Sequence, residues 1–321
     1  MVELQAVVKN KPLNLTELNG SAKLKLASNS NNQEKPRLRL AIQKEGRLTE
    51  HTLSLLRSIG LEFDSYKQRL FSTVSNFELD IMYTRDDDIP EYVATGTADI
   101  GVVGQNLLYE EGVEVEQALP MGFGHCSLVV AVPKDSGITD VQQLHGKKIA
   151  TSYPKSAHKL LQQYGIEAEI ITLSGAVELA PNLGLANAVV EITATGSSLI
   201  LNDLVAIEEI LQSEAVLAVN KESLMHPYKA RNINRLQVRI KAALAGKEYK
   251  YVVMNAPRAA LENIKKAVPG LKSPTIVPLD DPNWVAVHVA VTEEAFWEVM
   301  ERLKEAGAGG ILVVPIEKIL L

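Results

Sequence analysis

Residues 37–60 read RLRLAIQKEGRLTEHTLSLLRSIG, and the fold can be worked out from how this stretch changes period. Leu38, Leu40, Ala41 and Ile42 make a short apolar strand over 38–42, closed by the polar turn Lys44-Glu45-Gly46-Arg47. Leu53, Leu56 and Ile59 then fall at i, i+3 and i+6, the spacing of one helical face. With Thr49 as N-cap and Gly60 as the stop, a helix is predicted over 50–59. A strand that hands over to a helix through a glycine turn is the unit of parallel α/β sheets.

That unit recurs. Strands are predicted over 77–83 and 98–103, separated by a helix that Asp88 caps, Pro90 opens and Gly96 ends, and 105–111 is a further helix. The apolar run 126–132 closes at Pro133, after which strands 148–151, 168–173 and 187–192 alternate with helices 154–164 and 175–183. The run 215–219 matches 128–132 in length and character, as expected if two crossing segments join two lobes. The division that follows is lobe I over 37–132 and 213–245, lobe II over 133–212, with a ligand cleft between them. From 246 to 321 the order changes to strand 251–254, helix 258–267, strands 275–278 and 285–291, helix 293–306 and strand 311–314. This βαββαβ order is ferredoxin-like, with Thr292 capping its second helix and Gly307 ending it. Residues 1–36 contain lysines but no arginine and include the polar run Ser28-Asn29-Ser30-Asn31-Asn32, which reads as a solvated appendage. Their Glu3, Glu17 and Glu34 fit a transit peptide poorly, so organellar import is left open rather than assigned.

Composition narrows the function. With 46 % hydrophobic and 22 % charged residues the chain is of the folded type. The one cysteine, Cys126, allows neither an intrachain disulfide nor a thiolate metal cluster, which fits a reducing compartment and an inert core thiol. Six histidines lie scattered without HExxH spacing, and no GxSxG elbow or GxGxxG fingerprint occurs. A net charge of −6 speaks against a general nucleic-acid binder, and no apolar run reaches the roughly 20 residues that span a bilayer. A local basic pocket for a small anion remains compatible.

Four segments could carry chemistry. In 178–199, a strand delivers Glu191 near its carboxyl end and a turn, Thr195-Gly196-Ser197-Ser198, leads into a helix at Leu199. Backbone N–H groups, hydroxyls and a helix N-terminus suit a phosphate monoester, while the carboxylate suits ribose hydroxyls; a plain capped helix needs the same residue types, and both readings stand. Lys44, Gly46 and Arg47 put two cations and a close-approach glycine at another carboxyl strand end, as a polyphosphate or a solvated turn would have them. Arg69 and Arg85 extend that cation set. Asp86, Asp87 and Asp88 read as helix caps rather than as a metal cluster. Thr151-Ser152-Tyr153-Pro154 opens a helix in the second lobe and could hold phosphate or only cap.

Taken in order, these motifs resemble a known family. QKEGRL at 43–48, RDDDIP at 85–90, ADIGVVG at 98–104, ATSYP at 150–154, the 178–199 block and SPTIVPL at 273–279 are similar to the long form of ATP phosphoribosyltransferase. The resemblance covers the chain from Leu38 onward. It implies an α/β fold of two periplasmic-binding-protein-like lobes plus a ferredoxin-like regulatory domain. It implies an enzyme, a pentosyltransferase joining N1 of the adenine of ATP to C1 of phosphoribosyl pyrophosphate with release of pyrophosphate, the first step of histidine biosynthesis. Position by position, it implies that Arg47 and Arg69 are the catalytic cations and that Lys44, Gly46, Arg85, Thr151 and Tyr153 face ATP. It likewise implies that Glu178, Glu191, Thr195, Gly196, Ser197, Ser198 and Leu199 bind phosphoribosyl pyrophosphate. Asn255, Leu271, Thr275, Ala290 and Gly310 match positions lining a pocket for histidine, the feedback inhibitor. Mg²⁺ is implied as cofactor, held mainly by substrate phosphates with no dedicated protein site. A homo-oligomer, dimer and hexamer, is implied, in the cytoplasm, without nucleic-acid or membrane partners. Three positions depart from the pattern: Asn187 and Glu191 replace Asp, and Ser198 replaces Thr. Two other readings compete, a non-catalytic two-lobed sensor and a phosphoribosyltransferase acting on another purine.

Overall fold

A computed structural model describes residues 36–64, 70–268 and 274–320, so the appendage over 1–35 and the segments 65–69 and 269–273 lie outside the described residues. The first sheet is built from β1 (Leu38–Gln43), β2 (Phe71–Thr73), β3 (Leu79–Thr84), β4 (Ile100–Gly104) and β5 (Glu116–Pro120), with helices α1 (Thr49–Ser58), α2 (Ile89–Ala94) and α3 (Gln105–Glu111) between them. β6 (Cys126–Pro133), β7 (Lys148–Thr151), β8 (Glu169–Thr172), β9 (Ala188–Thr193) and β10 (Leu204–Ser213) make the second, with α4 (Pro154–Tyr164) and α5 (Ser197–Leu201). β11 (Ala215–Val219) returns to the first sheet, whose order is β2-β3-β1-β4-β11-β5, while the second runs β10-β6-β9-β7-β8. β1 lies parallel to both neighbours, and so does β7.

The continuous apolar run of β1 follows from burial on both faces. Leu38, Leu40 and Ile42 point into one core with Leu79, Ile81 and Leu217, and Ala41 points into another with Met82, Val103 and Ala218. At about 1.5–3 kcal/mol per buried large aliphatic side chain, these residues fix the register of the sheet. After β11 come α6 (Lys221–Met225) and α7 (Pro227–Glu248); Ile233, Leu236 and Ile240 of α7 join the first core. α7 then feeds a third sheet of β12 (Tyr249–Pro257), β13 (Thr275–Pro278), β14 (Trp284–Thr292) and β15 (Gly309–Pro315), with α8 (Leu261–Ala267) and α9 (Phe296–Glu305). Its order β13-β14-β12-β15, all antiparallel, is the ferredoxin-like arrangement that the βαββαβ reading predicts.

Several expectations need correction. The run 126–132 does not belong to lobe I: β6 pairs with β9 and β10, so the chain crosses over between 120 and 126, and back at Glu214. An apolar strand buried on both faces carries no mark of which sheet it enters. The helix over 175–183 is only a 3-10 turn, Val177–Leu179, because Ala176 sits at φ +50° and Pro181 and Gly184 interrupt any longer run. Thr49 does not cap α1; its hydroxyl donates to the Gln43 carbonyl at 3.1 Å. Asp88 makes no side-chain cap to α2 and instead accepts from the Thr84 hydroxyl at 3.5 Å. Thr292 does accept the Ala295 N–H, at 3.4 Å. β2, β5, β10 and the 22-residue α7 have no counterpart in the sequence reading.

The amino ends of the first sheet are tied by Asp99, 1 % exposed. Its carboxylate accepts from Lys229 Nζ at 2.6 Å, the Ser223 hydroxyl at 2.7 Å and the Arg39 N–H at 2.8 Å, binding α6 and α7 to β1. Removing Asp99 leaves the Ser223 hydroxyl and the Arg39 N–H without their acceptor, while the Lys229 ammonium, 24 % exposed, can turn to water. Asp99→Ala should therefore lose about 1–3 kcal/mol of unfolding free energy, measured by urea titration at neutral pH.

Candidate functional site

The cleft opens at the carboxyl ends of the strands, where two polar locks hold the lobes together. The N-cap position of α4, Tyr153, makes no side-chain cap, and Pro154 contributes no N–H. Glu110 of α3, 5 % exposed, reaches across instead: it accepts the N–H of Lys155 at 2.8 Å, the N–H of Ser156 at 2.7 Å and the Ser156 hydroxyl at 2.6 Å. A carboxylate at a helix N-terminus satisfies orphan donors and meets the positive end of the dipole. The second lock is Asn106 at the start of α3, whose N–H donates to Ser213 Oγ and whose Oδ1 accepts from it, both at 3.0 Å. Asn106 Nδ2 also points to the Tyr153 hydroxyl at 3.4 Å. Beside them the two crossing segments bond to each other, Gly122 N–H to the Glu214 carboxylate at 3.2 Å and Ala215 N–H to the Phe123 carbonyl at 3.0 Å.

Groups from both lobes also meet at the cleft. The Arg47 guanidinium donates to Cys126 Sγ at 3.3 Å, bridging the β1–α1 loop to the start of β6. Tyr153 has its phenol pushed up, chiefly by burial and then by the negative charge of Glu191 and Asp86, with Arg47 acting in the opposite sense. Glu191 is itself pushed up to about 7 by burial, with the Glu178 charge adding to the rise and the Ile192 N–H, 2.9 Å from its carboxylate, opposing it.

After β9 the turn passes through Gly196 at φ +78°, a left-handed conformation that disfavours any side chain. Its N–H donates to Thr193 Oγ1 at 2.9 Å, and the Thr195 and Ser197 hydroxyls pair at 2.6 Å. No side chain caps α5, so the plain capped-helix reading of Thr195 to Ser198 does not apply. Leu199 is buried in the second lobe, which leaves only its backbone for a ligand. Ala194 edges a cavity of about 300 Å³ with Gln105, Cys126, Ser213 and Glu214.

A second cavity, about 570 Å³, is lined by Lys44, Phe71, Met82, Thr84, Arg85 and Asp86 among others. Lys44 and Arg85 meet there as the sequence anticipates, although Arg85 is forked onto Asp87 at 3.0 and 2.7 Å. Gly46 sits at φ +145°, where a Cβ would run into the Gln43 amide. Thr151 is a correction: fully buried, its hydroxyl donates to the Val190 carbonyl at 2.6 Å and accepts the Tyr153 N–H at 2.8 Å, so it shapes the turn rather than facing a ligand. Asn187 lies at the opposite end of the sheet, pairing with Lys148 through its Oδ1 at 3.0 Å and its N–H at 2.8 Å, so its lost charge is remote from the cleft. Arg69 and Leu271 lie outside the described residues. In the third sheet Asn255, Thr275 and Ala290 share the face opposite α8 and α9, paired with Ala286, His288 and Tyr251 respectively, and Gly310 at φ +59° adjoins the Asn255 amide. Gln43, Asp86, Asn106, Glu110 and Ser213 were not legible as site residues, since single polar side chains between apolar runs read as caps or surface.

A family model described as ATP phosphoribosyltransferase matches residues 85–242, and one described as the HisG C-terminal domain matches residues 246–318. An ATP phosphoribosyltransferase of Cytophaga hutchinsonii is 43 % identical over 88 % of this chain and 98 % of its own length. One from Bacteroides fragilis is 42 % identical over 88 % of this chain and all of its own. Among solved structures, the ATP phosphoribosyl transferase (HisG:HisZ) complex from Thermotoga maritima matches with a TM-score of 0.57 at 31 % identity, covering 63 % of this chain and 98 % of that one.

The raised Glu191 carboxyl makes a signed prediction. A carboxyl whose folded pKa lies above its unfolded value of 4.5 favours the folded state when protonated, and that advantage is lost as pH rises toward 7. In the substrate-free protein Glu191→Gln should therefore match the parent below pH 4.5 and exceed its stability above pH 7, by up to about 3 kcal/mol before solvent screening of a partly exposed group is discounted. Paired urea titrations across that range read the difference.

Proposed function

The chain belongs to the ATP phosphoribosyltransferase family, and on that premise we propose how its cleft carries out the reaction. It transfers the phosphoribosyl group of phosphoribosyl pyrophosphate to N1 of the adenine of ATP, releasing pyrophosphate, as the first step of histidine biosynthesis. Relatives matched along nearly their whole length are transferases, which leaves no support for the solute-sensor reading.

The observation that carries the site assignment is contact between the lobes at the cleft: Arg47 from one reaches Cys126 of the other at 3.3 Å, and Asn106 from the first reaches the Tyr153 hydroxyl of the second at 3.4 Å. Breaking the bond from C1 to pyrophosphate gives an oxocarbenium-like transition state, which needs no protein nucleophile. It needs two polyanions held in line and positive charge on the departing pyrophosphate. Arg47 supplies that charge from the β1–α1 loop, with Arg69 as a second cation. The 5-phosphate lies against the N–H groups and hydroxyls of Thr195, Gly196, Ser197 and Ser198 and the Leu199 backbone. Glu191, with Glu178 beside it, receives the ribose hydroxyls, whose hydrogen bonds compensate for the water that burial removes from the carboxylate. Lys44, Gly46 and Arg85 face the triphosphate, and Tyr153 closes the floor of the cleft.

Mg²⁺, when bound, would be held mainly by the substrates' phosphates and would neutralise part of their charge. Among the described residues no group of three or more His, Cys, Asp or Glu side chains could hold a metal ion, and the steps above use the chain's own groups. Asn255, Thr275, Ala290 and Gly310 line a site for free histidine on the open face of the third sheet, and the resemblance adds Leu271 to its residues. Residues 246–321 are the inhibitory domain, acting through a homo-oligomer, dimer and hexamer. The cytoplasm is the compartment that the family resemblance implies. Among the described residues no helix is long and apolar enough to cross a membrane.

Arg47→Ala should lower kcat for phosphoribosyl-ATP formation by about 10²–10³-fold, the usual effect of deleting one electrostatic stabiliser; wild-type turnover would overturn the role. Thr275→Trp should fill the histidine site and abolish inhibition in initial-rate titrations while leaving uninhibited turnover in place. Equal inhibition of the variant and the parent would put the histidine site elsewhere.

A further inference from the structure

Gln43 is the last residue of β1, paired with Thr84 at the carboxyl end of β3, and its side chain turns back under the loop that follows. Its Oε1 accepts the Leu48 N–H at 3.1 Å, and its Nε2 donates to Asp86 Oδ2 at 3.0 Å. Its carbonyl accepts the Thr49 hydroxyl at 3.1 Å. Gly46, at φ +145°, rests directly on the same amide, where an added Cβ would meet the Gln43 side chain. One side chain thus underlies the whole 44–48 loop and ties it to the 85–88 loop, the two segments that carry Lys44, Arg47, Arg85 and Asp86.

We propose that Gln43 is a positioning residue for phosphoribosyl transfer: its amide, held between the Leu48 N–H and the Asp86 carboxylate, sets the 44–48 loop so that the Arg47 guanidinium points across to the second lobe. The proposal rests on the reading of Arg47 as the cation at the departing pyrophosphate. An amide suits the place because it accepts on one side and donates on the other, both at neutral charge. Met matches its length but offers neither bond. Glu keeps the acceptor for Leu48 but turns a second carboxylate toward Asp86, and pairing it with Asp86→Asn restores the bond with donor and acceptor exchanged.

The test is steady-state kinetics on the full chain with ATP, phosphoribosyl pyrophosphate and Mg²⁺, with thermal melting to establish that each variant is folded. A loop displaced by about 1 Å costs up to about 100-fold in rate, so Gln43→Met and Gln43→Glu should lose about 10- to 100-fold in kcat, with smaller changes in both KM values. Gln43→Glu/Asp86→Asn should return to the turnover of Asp86→Asn alone, a recovery that general stabilisation would not give. Gln43→Met/Arg47→Ala should be no slower than Arg47→Ala, because one acts through the other. Wild-type turnover of Gln43→Met, failure of the exchanged pair to recover, or full additivity with Arg47→Ala would overturn the proposal. If Arg47→Ala itself runs at the wild-type rate, it is the cation reading that fails; if Arg47→Ala is slow and Gln43→Met fast, only the positioning role fails. Should Gln43→Met not fold, the exchanged pair decides.

Discussion

The cleft depends on one carboxylate from the first lobe standing in for a missing helix cap in the second. α4 begins with Tyr153-Pro154, a pair that supplies no capping side chain, and Glu110 satisfies the N–H groups of Lys155 and Ser156 from across the interface. Because the cap is formed between the lobes rather than within one, the lobes cannot separate without exposing both a buried carboxylate and the donors it serves. Tyr153 immediately precedes the capped turn, so the same contact that joins the lobes also fixes where Tyr153 stands. The Asn106–Ser213 pair repeats the arrangement one turn earlier in α3, at the point where the chain returns from the second sheet.

With the lobes fixed, opposite requirements are met from opposite sides. The first lobe brings cations on loops, Lys44, Arg47 and Arg85, while the second brings the Gly196 turn and the Glu191 carboxyl on the rigid end of β9. A phosphoribosyl donor carries phosphate at one end and pyrophosphate at the other, and the proposed binding mode has each end meet a different lobe with C1 between them. The departures from the family pattern fit this account unequally. Asn187 serves backbone pairing at the remote end of the sheet, whereas Glu191 sits among the groups around Tyr153, so only the second bears on the site.

Much of this was legible in the sequence where periodicity and turn chemistry agree. β1, α3, β7, α4 and β13 fall within a residue of their expected limits, because apolar spacing and a Gly or Pro stop coincide there. Reading failed where the deciding contact is distant. The address of β6 is set by β9 and β10, the shortening of 175–183 by backbone strain at Ala176, and β10 carries two bulges that blur its alternation. α7 opens on a polar stretch and alternates weakly, so its burial against β1 leaves little trace in the pattern. Of the site, residue types at carboxyl strand ends were readable; their supports were not, since Gln43, Asn106 and Glu110 gain meaning only from partners 43, 107 and 46 positions away.

The most direct test of the account is product formation by the intact chain, incubated with ATP, phosphoribosyl pyrophosphate and Mg²⁺ and resolved by chromatography with mass detection. The account predicts N1-(5-phosphoribosyl)-ATP and pyrophosphate in equal amounts, formed from ATP in preference to other purine nucleotides. Absence of that product, or equal transfer to GTP, would contradict it.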